Sequence, residues 1–98
     1  MRIKVMADYC CPPLWWDGEP GKIGPIIPDD LGLSPALSAD LWAWAETFDA
    51  ILVWDDPASS AFASDADERA FHERGRRLAE RVAGELGRSA RVRYWRNP

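Results

Sequence analysis

The chain has 98 residues, 47% of them hydrophobic, and a formal net charge of −4. This length allows one domain with one modest core, and the composition is not that of a disordered segment. No stretch approaches the roughly 18 apolar residues of a membrane span, and the amino terminus lacks the apolar run of a signal peptide. We therefore expect a single domain over residues 1–98 that is cytoplasmic and binds no membrane.

Charge is unevenly distributed along the chain. Thirteen carboxylates and three cations precede Arg69, a net charge of −10. From Arg69 onward nine arginines accompany three glutamates, a net charge of +6. Such asymmetry suggests a surface that attracts a charged macromolecule. If folding separates the two parts of the chain in space, the carboxylates form one acidic patch.

The first predicted element is a strand, because Ile3, Val5 and Ala7 recur with a period of two. The strand ends before Pro12, since proline cannot continue the hydrogen-bond ladder. From there to Ser34 the chain is rich in proline and glycine, and we predict a long irregular connection. An unpacked loop of this length is uncommon in a compact domain, so apolar residues should pin it to the core. The candidates for that role are Leu14, Trp15, Ile23, Ile26 and Ile27.

The next predicted element is a helix that begins at Ser34-Pro35. Ser34 can cap free backbone N–H groups, and proline suits the first helical position. Apolar residues then recur at spacings of four and three, which is one buried helical face. These residues are Leu37, Leu41, Trp44, Phe48 and Ile51. The pattern extends to about Val53, although residues 50–54 are equally consistent with a short strand.

A second helix is predicted after Ser64, which forms a capping box with Asp67. Its inward-facing residues are expected to be Ala70, Phe71, Leu78, Val82 and Leu86. Gly87 is the predicted end of the helix. Gly75 lies mid-helix, where glycine costs about 1 kcal/mol relative to alanine, so we expect a close approach to the first helix or to the sheet.

The closing element is a strand in which Ala90, Val92 and Tyr94 alternate with polar residues. The predicted fold class is α+β: a small two-layer domain with the order strand, long loop, two helices, strand. The helices pack on one face of a short sheet. The opposite, solvated face of the sheet then carries four cations, Arg2, Lys4, Arg91 and Arg93.

The residues that most often carry acid–base, redox or metal chemistry are few. His72 is the single histidine, and we interpret it as a boundary or surface residue. The sequence contains no nucleophile-elbow motif whose nucleophile His72 could activate. Cys10 and Cys11 are adjacent, so they lack the spacing of a redox motif or a zinc pair and are unsuited to a disulfide. We predict no catalytic residue, no metal site, no cofactor and no enzymatic activity.

Carboxylates and tryptophans of the acidic part are the better candidates for a site. Trp42 lies on the opposite side of the first helix from Trp44, so it either packs beneath the long loop or is an exposed aromatic among acids. An aromatic anchor surrounded by carboxylates suits a protein that inhibits a basic partner. The predicted partner-binding residues are Asp29, Asp30, Asp40, Trp42, Glu46, Asp49, Trp54, Asp55 and Asp56.

Several short motifs resemble a family of small acidic bacterial proteins. They are Pro13-Leu14-Trp15, Leu31-Gly32-Leu33-Ser34, Leu41 with Trp44 and Phe48-Asp49, Asp56-Pro57, Phe71 with Gly75, and Tyr94. Proteins of this kind are similar to immunity proteins of polymorphic-toxin and contact-dependent inhibition systems. The resemblance spans nearly the whole chain, although the cysteine pair, Trp16 and Trp42 depart from its pattern. It implies a protein that blocks a toxin by binding it, and it implies no catalytic residue.

The expected function is therefore that of an immunity-type inhibitor whose partner is a basic toxin domain, with a nuclease as the candidate activity of that toxin. The alternative is a small structural or regulatory module that self-associates; the chain itself is expected to be a monomer or a homodimer. Residues 91–96 interleave cations and aromatics as single-stranded RNA binders do. Because Tyr94 should face inward and the isoelectric point is about 4.9, we expect no direct binding of nucleic acid.

Overall fold

Four short strands form one sheet, and two helices cover one of its faces. The computed structural model describes residues 1–52, 55–56 and 60–96. The strands are β1 (Arg2–Val5), β2 (Leu14–Trp16), β3 (Pro25–Ile26) and β4 (Arg91–Tyr94). The helices are α1 (Pro35–Asp49) and α2 (Asp65–Leu86), and short 3₁₀ turns lie at Pro28–Leu31 and Gly87–Ser89. The α+β prediction is confirmed.

The order of strands in the sheet is β3-β2-β1-β4, and the alternation of side chains decides which face is buried. β2 is antiparallel to both β1 and β3, whereas β4 is parallel to β1. Val5 pairs with Leu14 on one side and with Tyr94 on the other. Paired residues share a face, so these side chains point together toward the helices. The cations Arg2, Lys4, Arg91 and Arg93 consequently lie on the opposite face, as predicted.

The prediction of an irregular connection between residues 11 and 34 was wrong, because this segment supplies β2, β3 and a 3₁₀ turn. Strands of three and two residues are too short to show a period-two pattern among prolines and glycines. β2 is ordered by pairing with β1, and β3 by pairing with β2, and the local sequence displays neither contact. Leu14 and Ile26 are buried as expected, but Ile23 is 97% exposed and Ile27 is 48% exposed, so neither pins the segment to the core.

The two helix starts agree with the capping predictions. The Ser34 side chain accepts a hydrogen bond from the Leu37 N–H, and the Ser64 side chain accepts one from the Asp67 N–H. α1 ends at Asp49, followed by a turn at residues 50–51, so it does not continue toward Val53. Residues 53–54 lie outside the described part of the chain.

α2 ends at Gly87 as predicted, where φ is +60°. Its buried face differs slightly from expectation, because Ala70 is exposed and His72 is buried. Residues 72, 75, 79 and 82 recur at spacings of three and four, which places His72 on the buried stripe of the helix. The predicted boundary or surface position of His72 was therefore wrong.

The core is centred on Trp44, whose side chain is fully buried. The Trp44 ring stacks on Phe71 with 4.7 Å between centroids, and its Nε1 donates to the Phe71 carbonyl at 3.0 Å. The Tyr94 ring meets Trp44 edge-on at 5.9 Å. Gly75 of α2 faces both rings, which confirms the predicted close approach and shows that it involves α1 and the sheet together.

Gly75→Ala tests this packing. A Cβ at residue 75 would lie 2.7 Å from Trp44 Cζ2 and 2.9 Å from Tyr94 Cζ, closer than real carbon atoms approach. We expect a loss of about 1–3 kcal/mol in the free energy of unfolding, measured in urea, because overpacking outweighs the better helix propensity of alanine. Gly84→Ala is the control: its Cβ would meet nothing within 4 Å, so it should stabilise α2 by up to about 1 kcal/mol. Equal effects of the two substitutions would contradict the packing argument.

Candidate functional site

Four of the predicted partner-binding residues lie together on one side of the molecule. Trp42, Glu46 and Asp49 are separated by four and three residues on α1, so they share a helical stripe. The 3₁₀ turn at Pro28–Leu31 adds Asp29 beside the amino-terminal half of the helix. We call these four residues the acidic Trp42 surface.

The Trp42 side chain is half-buried and separates two shallow grooves. The first, of about 300 Å³, is bounded by α1 and the loop that follows β1. Its lining residues are Cys10, Cys11, Pro12, Trp42, Ala45, Glu46 and Asp49. The second, of about 490 Å³, is lined by Asp29, Leu33, Pro35, Ser38, Ala39 and Trp42. One indole therefore contributes a wall to both grooves.

Two polar residues of the second groove, Ser38 and Asp29, have side chains without a partner among the described residues. The Ser38 side chain is only 6% exposed, and its Oγ has no hydrogen-bond partner among the described residues. A buried hydroxyl without a partner is uncommon in native proteins. Asp29 is exposed and forms no salt bridge with any residue that the structure describes. The groove thus combines an aromatic wall, a free carboxylate and an unpaired hydroxyl.

In the first groove, Asp49 anchors the cysteine loop to α1. Its Oδ1 accepts a hydrogen bond of 2.9 Å from the Cys10 N–H, where the backbone is in the left-handed region with φ of +60°. Burial, followed by the nearby carboxylate of Asp8, raises the pKa of the Cys11 thiol. A raised pKa keeps the thiol protonated and therefore poorly nucleophilic. Both cysteines are free.

A second group of polar residues surrounds His72, beneath β4. His72 Nδ1 lies 2.5 Å from the Tyr94 hydroxyl, and Nε2 lies 3.8 Å from Glu68 Oε1. A proton on Nε2, facing Glu68, leaves Nδ1 to accept from the tyrosine. Arg96 donates to the same Glu68 oxygen at 2.7 Å. A cavity of about 670 Å³ adjoins this group; its described lining, Asp65, Glu68, Arg69, Ala70, His72, Glu73, Arg76 and Arg96, includes no serine, threonine or cysteine.

The surroundings keep both central groups of this cluster neutral. Burial and then the positive charge of Arg96 lower the pKa of His72. Burial raises the pKa of Tyr94 to about 12. Near neutral pH the pair is therefore an uncharged hydrogen bond that joins α2 to β4. We assign it to the stability of the fold, since the lining offers it no nucleophile to activate.

A comparison with known protein families identifies the chain. The family model described as Serratia CdiI immunity protein-like matches residues 1–97. The chain belongs to this family. No curated protein matches it. Membership in this immunity-protein family confirms the resemblance found in the sequence motifs, and it implies that the protein binds a toxin partner.

The other predicted site residues that the structure describes in this CdiI-like protein do not line either groove. Asp40 lies two residues before Trp42, on the far flank of α1, and its Oδ2 accepts from Arg81 of α2 at 2.6 Å. Asp30 is exposed next to Asp29. Asp55 and Asp56 are exposed beyond the end of α1, and Trp54 lies outside the described residues. The structure therefore does not bring Asp40 together with Trp42.

The acidic and basic parts of the chain are only partly separated in space. The ion pairs between the two parts that the structure describes include Asp40–Arg81, Asp17–Arg93 and Glu68–Arg96. In the second, two oxygens of Asp17 accept from Arg93 at 2.5 and 2.8 Å, and this hydrogen bonding lowers the pKa of Asp17. The predicted separation of charge is incomplete for these pairs, whereas the acidic Trp42 surface includes none of them. No helix of the described ranges has the length and apolarity to cross a membrane.

The His72 environment predicts a pH dependence of stability. Because the pKa of His72 is lowered in the folded state, the unfolded chain binds the proton first as the pH falls through about 6.5. The free energy of unfolding of the parent should therefore decrease as the pH falls from 7.5 toward 5.5. His72→Gln keeps an acceptor for Tyr94 but does not titrate, so its decrease should be smaller. Urea unfolding at successive pH values measures both.

Asp17 and Glu85 do not contribute to the change between pH 7.5 and 5.5. Hydrogen bonds from Arg93 to Asp17 and from Ser34 to Glu85 lower the pKa values of these carboxyl groups from 3.8 and 4.5. Stability linked to them is lost only at more acidic pH. Identical curves for the parent and His72→Gln between pH 7.5 and 5.5 would show that His72 is not kept neutral by the fold.

Proposed function

We propose that this protein neutralises a toxin domain by binding it through the acidic Trp42 surface, without catalysis. The observation that carries the proposal is the position of Trp42 between two grooves whose rims hold Asp29, Glu46 and Asp49. Membership in an immunity-protein family supports a toxin as the partner.

The indole of Trp42 supplies the apolar part of such a contact. Tryptophan is enriched among the few residues that carry most of the binding energy of an interface. A half-buried ring is already held in place by its neighbours, so little conformational entropy is lost when a partner covers it. The grooves on its two sides give a partner side chain space to pack against the ring.

The carboxylates supply the electrostatic part and define the chemistry of the partner. Asp29 and Glu46 form no ion pair within the described ranges, so their charge is available to an approaching cation. The Asp29 carboxylate and the face of Trp42 together suit a lysine or arginine side chain. A toxin that acts on nucleic acid has a basic, phosphate-binding surface of this kind. Complementary charge accelerates association and is screened by salt.

Binding kinetics with a candidate toxin domain test the proposal. Glu46→Lys should slow association by about tenfold at low salt, because it reverses a steering charge, and the difference should shrink as salt is added. Trp42→Ala should instead accelerate dissociation, at a cost of about 2 kcal/mol or more in binding free energy. Stopped-flow measurements at several salt concentrations separate the two effects.

Glu80→Lys is the matched control, because it makes the same charge change at an exposed position of α2. It should leave both rate constants nearly unchanged. The double variant Asp55→Asn/Asp56→Asn shows whether the surface extends past α1. Equal association rates for Glu46→Lys and Glu80→Lys would reject the acidic Trp42 surface as the contact. A stable homodimer in sedimentation, with no binding of the toxin, would support self-association instead.

A further inference from the structure

One long edge of the sheet has no partner strand in the part of the chain that the structure describes. β4 is the last strand of the order β3-β2-β1-β4, and its only neighbour is β1. An edge strand presents a row of backbone N–H and C=O groups that another extended chain can pair with. This edge lies on the α2 side of the molecule and shares no residue with the acidic Trp42 surface.

The hydrogen-bond pattern shows which groups of β4 point away from β1. The Arg91 N–H donates to the Met1 carbonyl at 2.7 Å, and the Trp95 N–H donates to the Val5 carbonyl at 2.8 Å. In a parallel ladder the bonded residues alternate, so residues 91, 93 and 95 pair with β1. The N–H and C=O groups of Val92 and Tyr94 consequently point toward the unpaired edge.

The side chains beside this edge are cationic on one face and aromatic on the other. Arg91 and Arg93 project from the open face of the sheet and are exposed. Arg93 already pairs with Asp17, whereas Arg91 forms no ion pair within the described ranges. On the helix side, Arg76 lies over the Tyr94 ring at 5.7 Å. Trp95, which is 39% exposed, extends the strand and is contacted by Arg93 at 4.6 Å from its ring centroid. A strand added here would therefore meet arginines at alternate positions.

We propose that the β4 edge binds an extended segment of the toxin chain in which carboxylates alternate with apolar residues. The carboxylates would lie opposite Arg91 and Arg93 on the open face, and the apolar side chains would lie beside Val92 and Tyr94. The backbone groups of Val92 and Tyr94 would complete the ladder. Only the assignment of the bound segment to a toxin rests on the proposed function.

Charge argues against a second copy of this protein as the occupant. Two β4 strands related by a two-fold axis would pair antiparallel, with residues of the same face opposite each other. Each register that pairs three residues of Arg91–Tyr94 then places an arginine at 91 or 93 opposite another arginine. Like charges directly opposite each other destabilise a strand pair. An acidic segment removes this repulsion and replaces it with attraction.

Blocked synthetic hexapeptides test the edge directly. The probe alternates glutamate with valine; one matched peptide replaces each glutamate with lysine, and another has the same composition with the glutamates contiguous. The alternating acidic peptide should bind more tightly than either control, and its affinity should fall with salt. Binding should protect the Val92 and Tyr94 amide protons from exchange while leaving those of Leu37 and Asp67 unchanged.

Val92→Pro isolates the contribution of the backbone. In the parent the Val92 N–H points away from β1, so its removal leaves the hydrogen bonds within the sheet intact. Proline is tolerated on an edge strand in this orientation. We expect the dissociation constant of the acidic peptide to rise by about tenfold or more, equivalent to about 1.4 kcal/mol. Val92→Thr keeps the N–H and should bind as the parent does. Arg91→Gln should weaken binding and reduce its salt dependence.

Several results would overturn the proposal. Equal binding of the acidic and lysine peptides would exclude the charge pattern, and an unchanged affinity in folded Val92→Pro would exclude edge pairing. If no peptide binds and the amides of Val92 and Tyr94 stay unprotected, the arginines only guard the edge against aggregation. None of these outcomes affects the acidic Trp42 surface, because Glu46→Lys and Trp42→Ala report on that contact separately.

Discussion

The close approach at Gly75 holds this small fold together. At this position α2 has no side chain, so Trp44 of α1 and Tyr94 of β4 both reach the helix backbone. Three elements that are far apart in the sequence meet at one point, and the stacked Trp44 and Phe71 rings fill the space around it. Burial of these aromatic rings contributes much of the stability that the core of a 98-residue chain can supply.

This packing also decides where the two candidate surfaces lie. With Trp44 directed into the core, the opposite stripe of α1 exposes Glu46 and leaves Trp42 at the edge of the helix–loop contact. With Tyr94 directed inward, the arginines of β4 face outward and the strand ends the sheet. The acidic surface and the basic edge are therefore consequences of one core, and they point in different directions. Such a molecule can contact one partner in two places without the two contacts interfering.

The grouping of the candidate partner-binding residues was predictable to the extent that it is local. Trp42, Glu46 and Asp49 share a stripe because an α-helix repeats every 3.6 residues, and the sequence shows that period clearly. Asp29 joins them through a turn that the periodicity does not describe. Asp40 is close to Trp42 in the sequence but faces Arg81, a partner 41 residues away.

The sequence by itself determined the two helices with their caps, the first and last strands of the chain, β1 and β4, the α+β class and the family resemblance, because these depend on short-range periodicity and on motifs. Only the tertiary structure decided that residues 14–16 and 25–26 are strands, since the first segment is ordered by pairing with β1 and the second by pairing with the first. It also decided that His72 is buried against Tyr94, and that three arginines of the basic part neutralise carboxylates of the acidic part. Contacts of this kind join residues that are distant in sequence, and no local pattern encodes which of them will meet.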